Sequence, residues 1–258
     1  MSTSQRERIE MFGCPIDVVD LEQAVARVEE YIRDGGLHQG VGVNLDQFLK
    51  MKNDPTFKSM IVDADLITAD GHPIVWTSRL WGTPLPARVP GIDLFEALLP
   101  VAAEKGYTIY LLGAKEESMQ AAAEAYERRF PGLKIVGRRN GYFSEEDEPE
   151  IVDEINASGA DMLFIAISSP KKEAFVERGR ERLKVRFVLG VGGAFDIAAG
   201  WTSRAPVWMQ RAGVEWVWRL IQEPRRMGPR VLSNAAFLKD IARETVRRKV
   251  KPDFLAHS

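Results

Sequence analysis

Residues 162–191, MLFIAISSPKKEAFVERGRERLKVRFVLGV, decide the fold of this chain. Two apolar runs, 162–167 and 186–191, have the length and composition of buried strands. The charged segment between them, from Lys171 to Leu183, is typical of a helix. A strand, a helix and a second strand in this order predict a parallel β-α-β unit with a right-handed crossover.

The same alternation continues towards the N-terminus. Further strand-like runs are VGVN (41–44), DLITA (65–69), TIYLLG (108–113) and KIVG (134–137). Helices are predicted over Glu116–Arg129 and Glu146–Ala157, and Asp20 followed by Gln23 has the spacing of a capping box at the start of another. Because strands and helices alternate at this spacing, we predict an α/β fold built on a mostly parallel sheet.

The composition is that of a soluble globular protein, with 258 residues, 45% hydrophobic and 28% charged. A single cysteine, Cys14, excludes a disulfide framework and fits a reducing compartment. The first residues contain no apolar run of signal-peptide length, and no run approaches the roughly 18 apolar residues of a transmembrane helix. The sequence therefore predicts an intracellular protein.

Charge is distributed unevenly along the chain. Residues 204–258 carry 12 Lys and Arg against 5 Asp and Glu, whereas residues 1–203 have a net charge of −9. The strand pattern also stops before this basic segment, so we predict a sheet domain over 1–203 and a helical appendage rich in Trp and Arg over 204–258. The charge favours an anionic partner such as nucleic acid, a phosphorylated ligand or a membrane surface, or else a solvated basic face.

Polar residues follow the predicted strands, where parallel sheets bind their ligands. They are Asn44, Asp70-Gly71, Ala114-Lys115, the run Ser168–Glu173, and Gly192-Gly193 with Asp196. Each group alone is typical of a turn or a helix entrance. Together they predict a site at one sheet edge, where helix N-termini receive phosphate through free backbone N–H groups.

Several well-known signatures are absent from the sequence. There is no GxGxxG after the first strand and no GxxxxGK[ST], which argues against a dinucleotide fold or a P-loop. The three histidines lack metal-ligand spacing. Asp63-Ala64-Asp65 has the D-x-D form of metal-dependent sugar transferases, but it precedes a strand, at the wrong edge for a ligand. We therefore predict no metal site.

Ordered motifs from about Ile9 to Arg230 resemble the WecG/TagA/CpsF glycosyltransferase family. They are ITADGHPIVW (67–76), ARVPGIDL (87–94), LLGAKEE (111–117), NGYF (140–143), SSPKKE (168–173) and FDIAAGWTSRAPVWMQRAGVEWVWRLIQEPRR (195–226). The resemblance implies a Rossmann-like sheet with helices on both faces. It also implies an inverting hexosyl- or N-acetylhexosaminyltransferase, which uses a UDP-sugar and a polyprenyl-diphosphate-linked acceptor in bacterial surface polysaccharide synthesis. No metal or other cofactor is expected.

The resemblance also assigns roles to particular residues. Asp70 is the expected general base, with Asn44 beside it and Arg88 placed to bind phosphate. The residues expected to bind the donor are Gly113, Lys115, Tyr142, Lys172, Gly193 and Asp196; those expected at the diphosphates are Arg204, Arg219, Arg226 and Arg230. Arg219, Arg226 and Arg230 share one helical face if Pro224 and Pro229 leave the helix unbroken.

Two positions depart from the family pattern. Gly42 replaces the threonine of a T-x-N element, and Lys172 replaces the glutamine of a P-K-Q-E run. One hypothesis is that Lys172 pairs with a carboxylate on the sugar or with a second phosphate. Because of these departures, a nucleotide-binding but catalytically inactive member of the family is an alternative function. A nucleotide-dependent oxidoreductase is a second, less favoured alternative. The acidic body argues against nucleic acid as a partner.

Tryptophans and arginines in the appendage suggest contact with the inner face of the bacterial cytoplasmic membrane, as expected of a peripheral cytoplasmic enzyme. Trp208 and Trp216 are instead expected to pack the appendage onto the sheet. Self-association is a further expectation from the resemblance.

Overall fold

The structure is a computed structural model that describes residues 7–250, apart from the side chains of Arg226, Arg230, Ala235, Ala236, Lys249 and Val250. Within this range six strands form one sheet, in the order β4-β3-β8-β7-β5-β6. They are β3 (His38–Val43), β4 (Leu66–Ala69), β5 (Thr108–Gly113), β6 (Lys134–Arg139), β7 (Met162–Ala166) and β8 (Phe187–Gly190). Every pairing between them is parallel, which confirms the predicted α/β fold.

A short hairpin of β1 (Arg8–Met11) and β2 (Cys14–Asp17) lies outside the main sheet. The sequence analysis did not predict it. Its two connecting residues, Phe12 and Gly13, have φ angles of 54° and 71°. A phenylalanine at positive φ is uncommon, so the local sequence carries no standard hairpin signal.

Helices surround the sheet. They are α1 (Leu21–Asp34), α2 (Leu45–Asn53), α3 (Pro55–Val62), α4 (His72–Leu80), α5 (Gly91–Lys105), α6 (Glu116–Arg129), α7 (Glu148–Ser158), α8 (Lys171–Gly179), α9 (Ala194–Ala198), α10 (Val207–Arg211), α11 (Glu215–Gln222) and α12 (Pro224–Val250). α1 has the predicted capping box, in which the Asp20 side chain accepts from the Gln23 amide at 2.9 Å. α8 ends earlier than predicted, at Gly179, whose carbonyl still accepts from the amide of Leu183 in a following turn.

The two faces of the sheet are packed differently. One face carries a single apolar cluster contributed by α1, α5, α6 and α9, in which Phe95 contacts Phe164 and Phe195. The other face carries two separate clusters, one with α2, α3, α4 and α12, the other with α7 and α8. Neighbouring strands β3 and β8 belong to different clusters through Val41 and Val188, so the apolar layer is divided at the β3–β8 junction.

The described residues from Val207 onward form three helices, as the predicted appendage requires. α12 packs on the body through the buried residues Phe237 and Ile241, and the indole of Trp81 donates to Thr245 Oγ1 at 2.8 Å. In residues 7–250 no helix has both the length and the apolar character that a bilayer crossing demands.

The sequence analysis left open whether Pro224 and Pro229 break the helix that carries these arginines, and the structure shows one break. The chain breaks between α11 and α12 at Glu223, so Arg219 lies on a different helix from Arg226 and Arg230, and the three do not share one helical face. Pro229 lies inside α12 and does not interrupt it. The side chains of Arg226 and Arg230 fall outside the described part of the structure.

Two tryptophans of the appendage, one on α10 and one on α11, are exposed. Trp208 is 66% exposed and Trp216 is 48% exposed, so the expectation that they pack inward is wrong. The physical reason is that α10 buries Met209 instead, and none of the α11 side chains is buried.

Candidate functional site

A cleft of about 1330 Å³ opens at the carboxyl edge of the sheet. The helix after β3 packs on one face and the helix after β8 on the other, and chains that diverge in this way leave a crevice between neighbouring strands. The predicted residues that line the cleft are Asn44, Asp70, Arg88, Lys115, Tyr142, Lys172, Gly193, Asp196, Arg204 and Arg219. The folded chain therefore brings together residues from most of its length.

Asp70 comes directly after β4, and its amide donates to the carbonyl of Val43 at 2.7 Å. Its side chain lies against Gly42: a Cβ built at position 42 would be 3.1 Å from the Asp70 Cβ and 3.6 Å from Oδ2. Gly42, one of the two residues that depart from the family pattern, therefore lies directly against the Asp70 carboxylate. A Cβ here would also lie 3.3 Å from the backbone nitrogen of Gly91, so glycine at this position allows Asp70 and the start of α5 to pack closely.

The pKa of Asp70 is raised to about 7, mainly because burial disfavours the charged carboxylate. The positive charges of Arg219 and Arg88 act in the opposite direction, and the negative charges of Glu215 and Asp93 raise the pKa further. A carboxylate with this pKa is a more effective proton acceptor near neutral pH than an ordinary aspartate.

Asn44 holds the turn that follows β3. Its side-chain oxygen accepts from the amides of Asp46 at 3.0 Å and Gln47 at 3.2 Å, while Gln47 Oε1 accepts from the Asn44 amide. This is a complete capping box at the start of α2. A Cβ at Gly71 would lie 3.9 Å from the Asn44 Cβ, so the cap supports the turn beside Asp70.

Arg88, Asp93, Arg204 and Glu215 form an ion cluster next to Asp70. Arg88 Nη1 lies 2.9 Å from Glu215 Oε2, and Arg88 Nη2 lies 3.9 Å from Asp93 Oδ2. Arg204 pairs with Asp93 and lies 3.7 Å from Glu215 Oε1. The cluster joins α5 and the loop before it to α11 and the segment before α10. A phosphate that binds either arginine must compete with these carboxylates.

Asp93 and Glu215 were not identified as site residues from the sequence. Asp93 lies inside the ARVPGIDL motif and Glu215 inside VEWVWR, but nothing local marks either as a partner of a distant arginine. Both became visible only when the fold placed the start of α11 against the loop before α5.

Asp196 lies on α9, where its Oδ1 accepts from the buried hydroxyl of Ser118 on α6 at 2.6 Å. This hydroxyl was also missed in the sequence analysis. Lys115 occupies the N-cap position of α6 but makes no side-chain capping bond, and Gly193 is the N-cap of α9. Tyr142 is exposed at the rim of the cleft.

Gly113 is placed differently from the other predicted donor-binding residues. It is buried below the cleft and is not among the residues that line it. Its φ is 122°, and a Cβ there would lie 2.6 Å from the backbone carbon and oxygen of Ala166. Glycine is needed here because the ends of β5 and β7 approach so closely.

The Asp63-Ala64-Asp65 segment lies at the amino edge of the sheet, away from the cleft. Asp65 accepts from the amide of Gln39 at 2.9 Å and lies 3.2 Å from the ring of His38. Both contacts stabilise the start of β3, which fits the sequence-based expectation that this segment lies at the wrong sheet edge for a ligand. Over residues 7–250 there is no group of three or more His, Cys, Asp or Glu side chains arranged to hold a metal ion.

The ion cluster generates a prediction about the attachment of α11. In Glu215→Gln the side chain keeps its shape but loses both arginine ion pairs, so we expect the unfolding free energy to fall by roughly 1–2 kcal/mol. Hydrogen exchange should quicken over residues 207–222 while the sheet stays protected. Denaturant unfolding and hydrogen-exchange mass spectrometry measure the two effects.

The matched control for this prediction is Glu244→Gln. Among the described residues, Glu244 pairs with the arginines one turn further along α12, at 3.5 Å and 3.2 Å. Because such surface pairs contribute little, its stability should change by less than about 0.5 kcal/mol. Equal effects of the two substitutions would contradict the docking role of Glu215.

Comparison with known proteins adds two findings. The family model described as "Glycosyl transferase WecG/TagA/CpsF family" matches residues 9–251. A protein from Bacillus spizizenii is 34% identical over 207 residues, which cover 80% of this chain and 79% of the relative. That relative is named N-acetylglucosaminyldiphosphoundecaprenol N-acetyl-beta-D-mannosaminyltransferase.

Proposed function

The chain belongs to the WecG/TagA/CpsF family of glycosyltransferases, and from this premise we propose that it transfers a sugar from a UDP donor to a polyprenyl-diphosphate-linked saccharide. The proposal includes inversion at the anomeric carbon and activity without a metal ion. The observation that carries it is the partly buried carboxylate of Asp70, which lines the cleft and has a pKa raised to about 7. The relative's name, with a sugar-diphospho-undecaprenol acceptor, supports the acceptor class.

Asp70 is the general base in this mechanism. It accepts the proton of an acceptor hydroxyl as that oxygen attacks the anomeric carbon from the face opposite UDP. The bond between the anomeric carbon and the UDP oxygen breaks, and UDP leaves with the electron pair. A glycosidic bond to the acceptor oxygen replaces the glycosyl phosphate bond to UDP, and the configuration of the anomeric carbon is inverted.

Guanidinium groups stabilise the charge that develops on the departing diphosphate. Arg88, Arg204 and Arg219 all line the cleft, and fixed positive charges at a leaving group can do the work of a divalent cation. Arg88 and Arg204 exchange the carboxylates of Glu215 and Asp93 for phosphate oxygens when substrate binds. Roles for Arg226 and Arg230 stay predictions from the sequence.

The nucleotide occupies the part of the cleft between Tyr142 and Asp196. Tyr142 offers an exposed ring at the rim, and Asp196 is held in place by Ser118. The first-turn amides of α6, which Lys115 leaves without a side-chain cap, supply further donors for phosphate.

The test is UDP release from UDP-glucose, UDP-N-acetylmannosamine and UDP-glucuronate with a synthetic polyprenyl-diphosphate-sugar acceptor and EDTA. We expect acceptor-dependent release with at least one donor, and a loss of 10²- to 10⁴-fold, as an order of magnitude, in Asp70→Asn. NMR of the product reports the anomeric configuration. The matched control is Asp63→Asn, an exposed acid at the opposite sheet edge, which should keep full activity.

Three outcomes would contradict parts of the proposal. Release that EDTA abolishes would contradict metal independence, and full activity in Asp70→Asn would remove the base. Binding of UDP with no release from any donor or acceptor would favour the catalytically inactive alternative.

We also propose that the protein works at the inner face of the cytoplasmic membrane, where its lipid-linked acceptor lies. Trp208, Ile221 and Leu232 are exposed on the appendage helices, and basic residues flank them. Exposed aromatic and aliphatic groups beside arginines suit the interface of an anionic bilayer. Self-association stays a prediction.

Vesicle co-sedimentation tests the membrane proposal. The full chain should bind phosphatidylglycerol vesicles more tightly than phosphatidylcholine vesicles, and Trp208→Ser with Ile221→Ser should weaken binding by roughly 10-fold. Val136→Ser, which removes an exposed apolar group from β6, is the control. Failure of the unaltered protein to bind anionic vesicles would show that this part of the proposal is wrong.

A further inference from the structure

Glu173 is a buried carboxylate whose bonding is incomplete. It is 2% exposed, and its Oε1 pairs with the ammonium group of Lys172. No described residue donates a hydrogen bond to the buried Oε2. Buried carboxylate oxygens in folded proteins almost always have a donor, so an orphaned one in the wall of a cleft points to a missing ligand.

Ser169 presents a second orphaned group in the same wall. Its hydroxyl oxygen is buried and has no described partner, while its backbone carbonyl accepts from Lys50 at 3.3 Å. Ser169 precedes α8 and Glu173 lies in the first turn of that helix, so both groups belong to one short segment. Two incomplete polar groups on one segment are difficult to explain by packing alone.

The space in front of these groups is a deep part of the cleft at the β3–β8 junction. It is lined by the apolar side chains of Val41, Val176 and Val188 and by the buried amides of Gln39 and Gln47. This is where the apolar layer on that face of the sheet is divided. We call this part of the cleft, next to Ser169 and Glu173, the recess.

Gly190 permits Lys172 to reach Glu173. A Cβ at position 190 would lie 2.5 Å from the Lys172 Cε, so the lysine stem crosses the backbone of β8 where no side chain stands. The ammonium is thereby held beside Glu173 at the floor of the recess. The pair as a whole carries no net charge.

We infer that Ser169, Lys172 and Glu173 form a pocket that recognises the hydroxyl groups of a neutral hexose and rejects a sugar carboxylate. This assignment rests on the proposed function, since it names the sugar class that the transferase takes. A sugar hydroxyl donates to Glu173 Oε2 and accepts from the Lys172 ammonium, which has three donors and spends one on Glu173. Ser169 completes the set with a hydroxyl that donates or accepts.

The same geometry argues against the hypothesis that Lys172 pairs with a carboxylate on the sugar or with a second phosphate. The positive charge of Lys172 is already matched by Glu173. A ligand carboxylate would face the orphaned oxygen of Glu173, and two like charges in a buried recess repel strongly. The lysine at this position is therefore half of a neutral hydroxyl-binding pair.

Calorimetric binding of UDP, UDP-glucose, UDP-N-acetylmannosamine and UDP-glucuronate to the full chain tests the pocket without turnover. We expect the unaltered protein to bind a neutral UDP-hexose more tightly than UDP-glucuronate. Glu173→Gln should weaken the neutral UDP-hexose by roughly 10-fold, leave UDP unchanged, and narrow the discrimination against UDP-glucuronate. Ser169→Ala should weaken the neutral sugar in the same selective way by a smaller factor.

Two further variants guard against misfolding. The single variant Glu173→Gln leaves the positive charge of Lys172 unpaired. The double variant Lys172→Gln with Glu173→Gln removes both charges, so it should fold normally while losing the affinity that depends on the sugar. Glu177→Gln removes an exposed acid one turn along α8 that pairs with Arg180, and should bind every ligand like the unaltered protein. Denaturant unfolding checks that each variant is native.

The outcomes separate this inference from the proposed function. If UDP itself does not bind, the proposed function is wrong and the pocket assignment falls with it. If UDP binds but Glu173→Gln weakens UDP and UDP-hexoses equally, or changes neither, the pocket assignment alone is overturned. A selective rise in the KM for the acceptor, with donor affinity unchanged, would likewise overturn the assignment of this pocket to the donor sugar.

Discussion

Partial burial of the Asp70 carboxylate at the end of β4 is the constraint on which the rest of the site depends. Burial disfavours its charge, and the nearby arginines recover only part of that cost, so its pKa is raised to about 7. The residues around Asp70 hold it in this partly buried position. Gly42 allows the backbone to pack closely against Asp70, and the Asn44 capping box fixes the neighbouring turn. A more solvated aspartate would be a weaker base near neutral pH.

The helices after residue 203 are part of the site and not only an addition to the sheet domain. Glu215 at the start of α11 pairs with Arg88, and Arg219 on the same helix lowers the pKa of Asp70. The appendage therefore contributes charges of both signs to the surroundings of Asp70. Arg88 is already paired with Glu215, so on the proposed mechanism an incoming diphosphate would replace the Glu215 carboxylate at Arg88. In that mechanism, this exchange would connect substrate binding to the position of α11.

The parts predicted from sequence are those that leave a local or periodic signal. The strands of the main sheet are apolar runs, and residues after parallel strands must meet at one edge, so Asp70, Asn44 and Asp196 came together as expected. Long-range pairs leave no such signal, which is why Glu215, Asp93 and Ser118 were missed. The outward positions of Trp208 and Trp216 could not be inferred either, because tryptophan suits both a core and an interface. Gly113 was predicted to contact the donor, but the close approach of β5 and β7 is the reason that a glycine is needed at this position.

The measurement that tests this account most directly is the titration of Asp70 itself. Carbon-13 NMR of protein labelled at the aspartate carboxyl carbon, with Asp70→Asn used to assign the resonance, reports its protonation in the absence of substrate. The account predicts a midpoint near pH 7 for this one carboxyl group. A midpoint near the ordinary aspartate value of 3.8 would contradict it, because Asp70 would then be a solvated carboxylate with no special capacity to accept a proton at neutral pH.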